Sequence, residues 1–184
     1  QSVDGLTDAE RLIRFDQLIV TAANRGAHEA ARAAVEHPRG PRGFLVFSGT
    51  PGVGKTSLSI CAVNSARTRG YAGVYETGEG LLRYLRAAFD PAADRTFDER
   101  WRLLVGATVL VLDELTLDNT QWAVRQLEEL IDARWRRLSD MLTIVCTNQT
   151  ITSFTPRVAS RLGDANVTRP NLGTIDFRKW RVSP

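Results

Sequence analysis

Thiols and imidazoles are scarce in this sequence of 184 residues, which holds two cysteines and two histidines. His28 and His37 stand in no Cys or carboxylate cluster at ligand spacing, so no structural zinc site is indicated. Cys61 and Cys146 lie in separate apolar segments and read as buried, reduced thiols rather than a disulfide framework. Missing too is any apolar run of the ~20 residues that a membrane helix needs. No secretory leader opens the chain. A cytoplasmic, reducing location without membrane contact is the resulting expectation. Internal repeats and low-complexity tracts are absent, which removes solenoid architectures. The chain opens on Gln1 rather than Met, so a trimmed N-terminal domain is admitted.

What is present is ordinary for a globular domain: 43% hydrophobic and 24% charged residues. The length suits one domain with a sizeable core. A net charge of +3 is mildly basic, which permits nucleic-acid contact without establishing it.

One stretch organises the rest. Gly49-Thr50-Pro51-Gly52-Val53-Gly54-Lys55-Thr56 reads G-x-x-x-x-G-K-T, a phosphate-binding loop, with Ser57 following it. The glycines let the backbone turn its N–H groups inward, and the next helix N-terminus adds to the cradle. Lys55 places a point charge on the β- and γ-phosphates, and Thr56 offers a hydroxyl to Mg²⁺. The run 43–48 before it is apolar and aromatic, as a buried strand requires, and the run 57–63 after it has helical spacing. Strand, loop and helix together support the motif.

Taken in order, Thr7-Asp8-Ala9-Glu10 is a capping box that predicts a helix carrying Leu12, Ile13 and Phe15. An Ala-rich helix follows over 27–36, and the segment 37–43, with two Pro and two Gly, breaks it. Residues 72–76 predict a strand. Residues 79–89 predict a helix with Leu81, Leu82, Leu85 and Phe89 on one face and Arg83 and Arg86 on the other. A short helix with Trp101 is expected over 97–104, and a long amphipathic one over 120–138. In the latter, Arg134, Arg136 and Arg137 cluster where positive charge suits the helix dipole. Val167 and Ile175-Asp176-Phe177 suggest a last strand or edge pair.

Thr108 to Leu112 predicts a buried strand, with Asp113 and Glu114 at its C-terminal end. In a parallel α/β sheet ligands bind at that end. Asp113 there suits Mg²⁺ through water, and Glu114 suits activation of an attacking water. Strand 142–147 ends at Asn148, whose amide reaches a γ-phosphate or the attacking water; read alone, it is equally a turn residue. Arg157 and Arg161 stand one helical turn apart, either a solvated basic face or the place of an arginine that acts on a neighbour's ATP.

The order of these motifs resembles the AAA+ domain of the DnaC/DnaI helicase loaders and their near relative, the IstB transposition helper. Gly49–Thr56 is similar to the family's Walker A, Val109–Glu114 to its Walker B and Thr147-Asn148 to its sensor 1. Arg157-Val158-Ala159-Ser160-Arg161-Leu162 is similar to its R-[IV]-x-S-R-L segment. Arg14-Phe15-Asp16-Gln17-Leu18 resembles the aromatic segment ahead of the phosphate loop, and the helix of Leu81 to Arg86 resembles the one after the second strand. The resemblance implies an α/β, AAA+ P-loop fold with a central parallel five-stranded sheet flanked by helices and a lid absent or vestigial. It implies an N-terminal helical segment over 1–42 and an ATPase core over 43–184.

In function it implies slow, Mg²⁺-dependent ATP hydrolysis and self-association across nucleotide-bridged interfaces. Arg161 would reach the neighbour's γ-phosphate, with Arg157 as second choice or a sensor in cis. It further implies binding of single-stranded DNA and loading of a replicative hexameric helicase. The alternative is an IstB-type helper acting on duplex DNA with a transposase, and the core motifs do not separate the two. Arg83, Arg86 and Tyr84 are candidate DNA contacts, because single strands are gripped by stacking plus arginine; the plain alternative is surface charge with Tyr84 half buried. Leu115-Thr116 stands where relatives often place Gly.

Overall fold

The computed structural model describes residues 4–116 and 120–177. The remaining positions, which the expected 43–184 core includes in part, lie outside the described residues. Among the described residues four parallel strands form the sheet: β1 (Gly43–Ser48), β2 (Gly73–Thr77), β3 (Val109–Asp113) and β4 (Leu142–Thr147), in the order β1-β4-β3-β2. Among the described residues six α-helices cover it: α1 (Arg25–Val35), α2 (Lys55–Thr68), α3 (Gly78–Arg86), α4 (Phe97–Gly106), α5 (Gln121–Trp135) and α6 (Pro156–Leu162).

The strands are apolar on both faces, as a sheet covered on both sides requires. Successive side chains alternate between two cores. Leu45, Phe47, Val109, Val111, Ile144 and Cys146 face a layer containing α1 and α2. Phe44, Val46, Leu110, Leu112 and Val145 face the other layer, with Leu85, Leu130, Ile131 and Val158. Cys61 and Cys146 are buried free thiols. No described helix is long and apolar enough to cross a membrane.

The expected fifth strand is reduced to one bridge. Thr168 pairs with the outer edge of β1 opposite Leu45, receiving a hydrogen bond from Val46 N at 2.9 Å and donating one to Phe44 O at 2.9 Å. The next donor in a parallel ladder falls at residue 170, which is proline and has no N–H. Ile175 to Phe177 form no strand.

Two other expectations shift. The Thr7–Glu10 capping box forms, with Thr7 N and Oγ1 donating to Glu10 Oε2 at 2.8 and 2.7 Å. It opens only a 3-10 turn over Glu10–Leu12, and Leu12 stays 68% exposed. Asn64 Nδ2 of α2 takes the carbonyls of Glu10 and Ile13 at 2.8 and 3.0 Å, which draws them out of any helix. Helix α3 likewise ends at Arg86, and Phe89 swings to the surface to stack on Phe97.

The arginine cluster at the end of α5 divides. Arg136 lies at the surface beside Asp132. Arg134 is fully buried, so its role is structural rather than dipolar. It donates to Val105 O, Ala107 O, Leu142 O and Thr143 Oγ1, tying α4, α5 and β4 together.

Candidate nucleotide site

β1 hands the chain to a loop whose glycines take positive φ: +146° at Gly49, +91° at Gly52 and +97° at Gly54. A side chain is strained in that region, which is why these three positions are glycine. The loop closes on itself through Lys55, whose Nζ donates to Gly49 O at 2.6 Å and Thr50 O at 2.9 Å. Val53 is buried and anchors the loop in the core beneath. Lys55 begins α2, so the N-terminal amides of that helix face the loop mouth.

A cavity of about 350 Å³ opens there. Its walls are Pro51, Gly52, Gly54, Lys55, Thr56 and Ser57 on one side and Asp113, Glu114, Thr147 and Asn148 on the other. Three strand ends, β1, β3 and β4, thus converge at a crevice beyond the carboxyl edge of the sheet.

Asp113 is 2% exposed. Its Oδ2 accepts from Tyr75 Oη at 2.6 Å and its Oδ1 from Glu114 N at 2.8 Å. Burial and the Asp113 carboxylate push the Tyr75 phenol far above its ordinary pKa, so it remains a donor. Glu114 has φ of +49°, the left-handed region, and is exposed to the cavity. The turn is locked by Leu115 N donating to Cys146 O at 2.8 Å and by Thr147 Oγ1 donating to Leu115 O at 2.8 Å. The buried Leu115 at this position thereby ties the β3 turn to β4.

Among the described residues no cluster of three His, Cys, Asp or Glu could hold a metal. The Asp113 carboxylate and Thr56 hydroxyl are two hard oxygen donors on one cavity. That donor set fits Mg²⁺, which keeps several waters and takes phosphate oxygens for the rest of its shell.

A second cavity of about 190 Å³ adjoins the first through Gly54, Ser57 and Phe177. Leu18, Ile19, Val53 and Leu58 make it largely apolar, with Asn24 and His28 at its wall. Burial, aided by Arg32, lowers the His28 pKa, which keeps the imidazole neutral at pH 7. Phe177 belongs to both cavities, and its N–H donates to Gly52 O at 3.0 Å. Sequence reasoning missed this second cavity, Tyr75 and Phe177. The aromatic segment at Phe15 was the one signal pointing to the first of them.

Arg157 and Arg161 do not line either cavity. Both meet Asp132 of α5, Arg161 Nε at 2.8 Å from Oδ1 and Arg157 at 3.3 Å from Oδ2. Of the candidate DNA contacts, Tyr84 is half buried, with its ring under the Arg100 guanidinium at 4.7 Å. One face of the ring is thereby covered. Arg86 lies over Trp122 at 5.0 Å, and Arg83 is exposed near Glu79.

A family model described as IstB-like ATP binding protein matches residues 41–175. The ATP-binding protein of insertion sequence IS1162 from Pseudomonas fluorescens is 29% identical over 142 residues, 76% of this chain and 54% of that protein. The one of insertion sequence IS5376 from Geobacillus stearothermophilus is 35% identical over 71 residues, 39% of this chain and 27% of that protein. The chain spans about half, or less, of the length of these relatives. A solved structure of the DnaC helicase loader superposes with a TM-score of 0.72 at 20% identity, covering 90% of this chain and 100% of that one. At that identity the likeness concerns the fold.

Proposed function

The chain belongs to the IstB-like ATP-binding family, and from that premise we propose a Mg²⁺-dependent ATPase that works on DNA as the helper of a transposase. The observation that carries the catalytic part is the convergence of the Lys55–Thr56 helix start, the Asp113–Glu114 pair and Asn148 on one cavity. The phosphates lie along the loop amides and Lys55, and the base enters the apolar cavity beside Leu18 and His28. Thr56 and Asp113 would hold Mg²⁺, which would neutralise charge on the phosphates when bound. Glu114 accepts a proton from the attacking water, and Asn148 orients that water against the γ-phosphate. Arg161 is supplied to a neighbouring copy's nucleotide, which makes turnover depend on self-association.

The helper reading ranks first because the sequence-level matches are insertion-sequence proteins. The second reading is a replication factor on single-stranded DNA that loads a hexameric helicase, supported by the fold likeness to the DnaC helicase loader. Two measurements separate the outcomes. In a fluorescent-nucleotide assay, Lys55→Ala is expected to lose ATP binding, while Glu114→Gln binds ATP and does not hydrolyse it. Hydrolysis by Glu114→Gln at the wild-type rate overturns the catalytic assignment. ATP-dependent filaments on duplex DNA support the helper; a preference for single strands supports the loader.

A further inference from the structure

Three arginines converge on one carboxylate away from the nucleotide cavity. Asp132, with 6% of its side chain exposed, takes Arg161 Nε at 2.8 Å on Oδ1 and Arg136 at 2.7 Å and Arg157 at 3.3 Å on Oδ2. Burial works against the charged carboxyl, but the Arg161 hydrogen bond, with Arg136 and Arg157, outweighs it and holds the pKa below the ordinary range.

The three partners are not equivalent. Arg157 and Arg136 each spend a terminal nitrogen on the carboxylate. Arg161 spends only Nε. Among the described residues its two terminal nitrogens make no hydrogen bond. Its Cζ lies over the Trp135 ring, 4.1 Å from the ring centre, and its side chain is 30% exposed. A second tie, Thr155 Oγ1 to Glu128 Oε1 at 2.7 Å, fixes α6 against α5. A guanidinium clamped at Nε and along one face keeps its fork for a bidentate anion. Three cations on one carboxylate also leave an excess of positive charge, which suits a phosphate.

We propose that Asp132 and Trp135 are positioning residues that hold the Arg161 fork outward, so that Arg161 rather than Arg157 meets the nucleotide of a neighbouring copy. The inference rests on the reading above that nucleotide lies between copies, and its test is built so that the two fail separately.

The test is turnover in mixtures, with Mg²⁺, ATP and duplex DNA. Glu114→Gln donates an intact arginine but cannot hydrolyse; Arg161→Ala keeps an intact cavity but donates none. Mixing them is expected to restore hydrolysis. Adding Asp132→Asn to the Glu114→Gln donor is expected to cut the restored rate by about tenfold or more, since small misplacements of a catalytic group cost that much. Adding it to the Arg161→Ala acceptor is expected to change nothing. In the donor, Trp135→Phe is expected to retain the rate and Trp135→Leu to lose it. A merely structural brace would weaken donor and acceptor alike, and that outcome overturns the proposal, as does an Asp132→Asn donor as good as the original. If the first mixture restores nothing, Arg161 does not act between copies and the positioning role falls with that reading.

Discussion

The Tyr75 hydroxyl donates to Asp113 Oδ2 at 2.6 Å across neighbouring strands, where Thr77 pairs with Asp113 and Tyr75 with Val111. The phenol therefore reaches two residues along the sheet to the carboxylate at the cavity. Tyr75 is 5% exposed, so no water replaces it easily. Tyr75→Phe keeps the ring and leaves one buried carboxylate oxygen without its donor, at a cost of about 1–3 kcal/mol. Urea unfolding of the metal-free protein is expected to register that loss. The Mg²⁺ concentration for half-maximal hydrolysis is expected to shift as well, because partners of a metal ligand set its orientation.

Glu114 adopts a left-handed backbone, which costs a side-chain-bearing residue about 1–2 kcal/mol. The buried Leu115 beside it fixes the turn through its hydrogen bonds to β4, while the Glu114 side chain itself is exposed. The strain places the carboxylate at the cavity. Glu114→Asn, which tolerates this conformation, is expected to raise the unfolding midpoint while abolishing turnover. A Glu114→Asn protein less stable than wild type would show that the Glu114 side chain holds the turn together.

Much of this was legible in the sequence, because local rules decided it. The phosphate loop needs glycines at fixed offsets, and the strands are runs too apolar to lie anywhere but inside. The failures share a cause in distant contacts. Asn64 captured the carbonyls that the Thr7 capping box was expected to fold into a helix. Arg134 looked like its neighbours Arg136 and Arg137 until the turn of α5 set it against β4. Pro170, plain in the sequence, ends the fifth strand only because Thr168 happens to meet β1. The Tyr75–Asp113 bond depends on sheet register, which no motif encodes, and the apolar cavity on the N-terminal segment folding back, to which the 14–18 segment alone pointed.

Glu76 gives a pH dependence with a definite sign. It sits buried on β2, on the face opposite Tyr75, where a Cβ on Gly80 would collide with its carboxyl oxygen. Burial, with nearby Asp4 adding to it and Arg83 opposing, pushes its pKa up to about 7. A folded value above the unfolded one means that the native state binds the proton more tightly. The penalty for ionising it is therefore absent below pH ~4.5, grows as pH rises, and is complete above pH ~7. Wild type is expected to lose stability across that window, on the order of 3 kcal/mol. Glu76→Gln is expected to flatten the curve and to be the more stable protein at pH 8. Equal slopes in the two proteins, followed by urea unfolding from pH 4 to 8, would assign the dependence to other groups.

Arg134 carries the largest expected stability effect outside the nucleotide site. Its guanidinium is fully buried, and among the described residues no carboxylate faces it. Three backbone carbonyls, a hydroxyl and the Met141 thioether supply its partners. Desolvation, and then Arg137, lower its pKa to about 9. Removing it leaves those acceptors buried and unpaired at the junction of α4, α5 and β4. Arg134→Ala is expected to cost more than about 3 kcal/mol, since several buried acceptors lose their donor at about 1–3 kcal/mol each. Arg134→Met fills the space but leaves the same acceptors unpaired, so it is expected to recover only the packing share. Lys has three donors on one nitrogen and cannot span the four oxygen acceptors, so Arg134→Lys is expected to stay well below wild type. Parity of Arg134→Met with wild type in urea unfolding would mean that the desolvation cost of the guanidinium cancels its hydrogen bonds, as buried ionic groups elsewhere do. The carbonyls of Val105, Ala107 and Leu142 would then have found other donors, and hydrogen exchange at α4 and β4 would locate them.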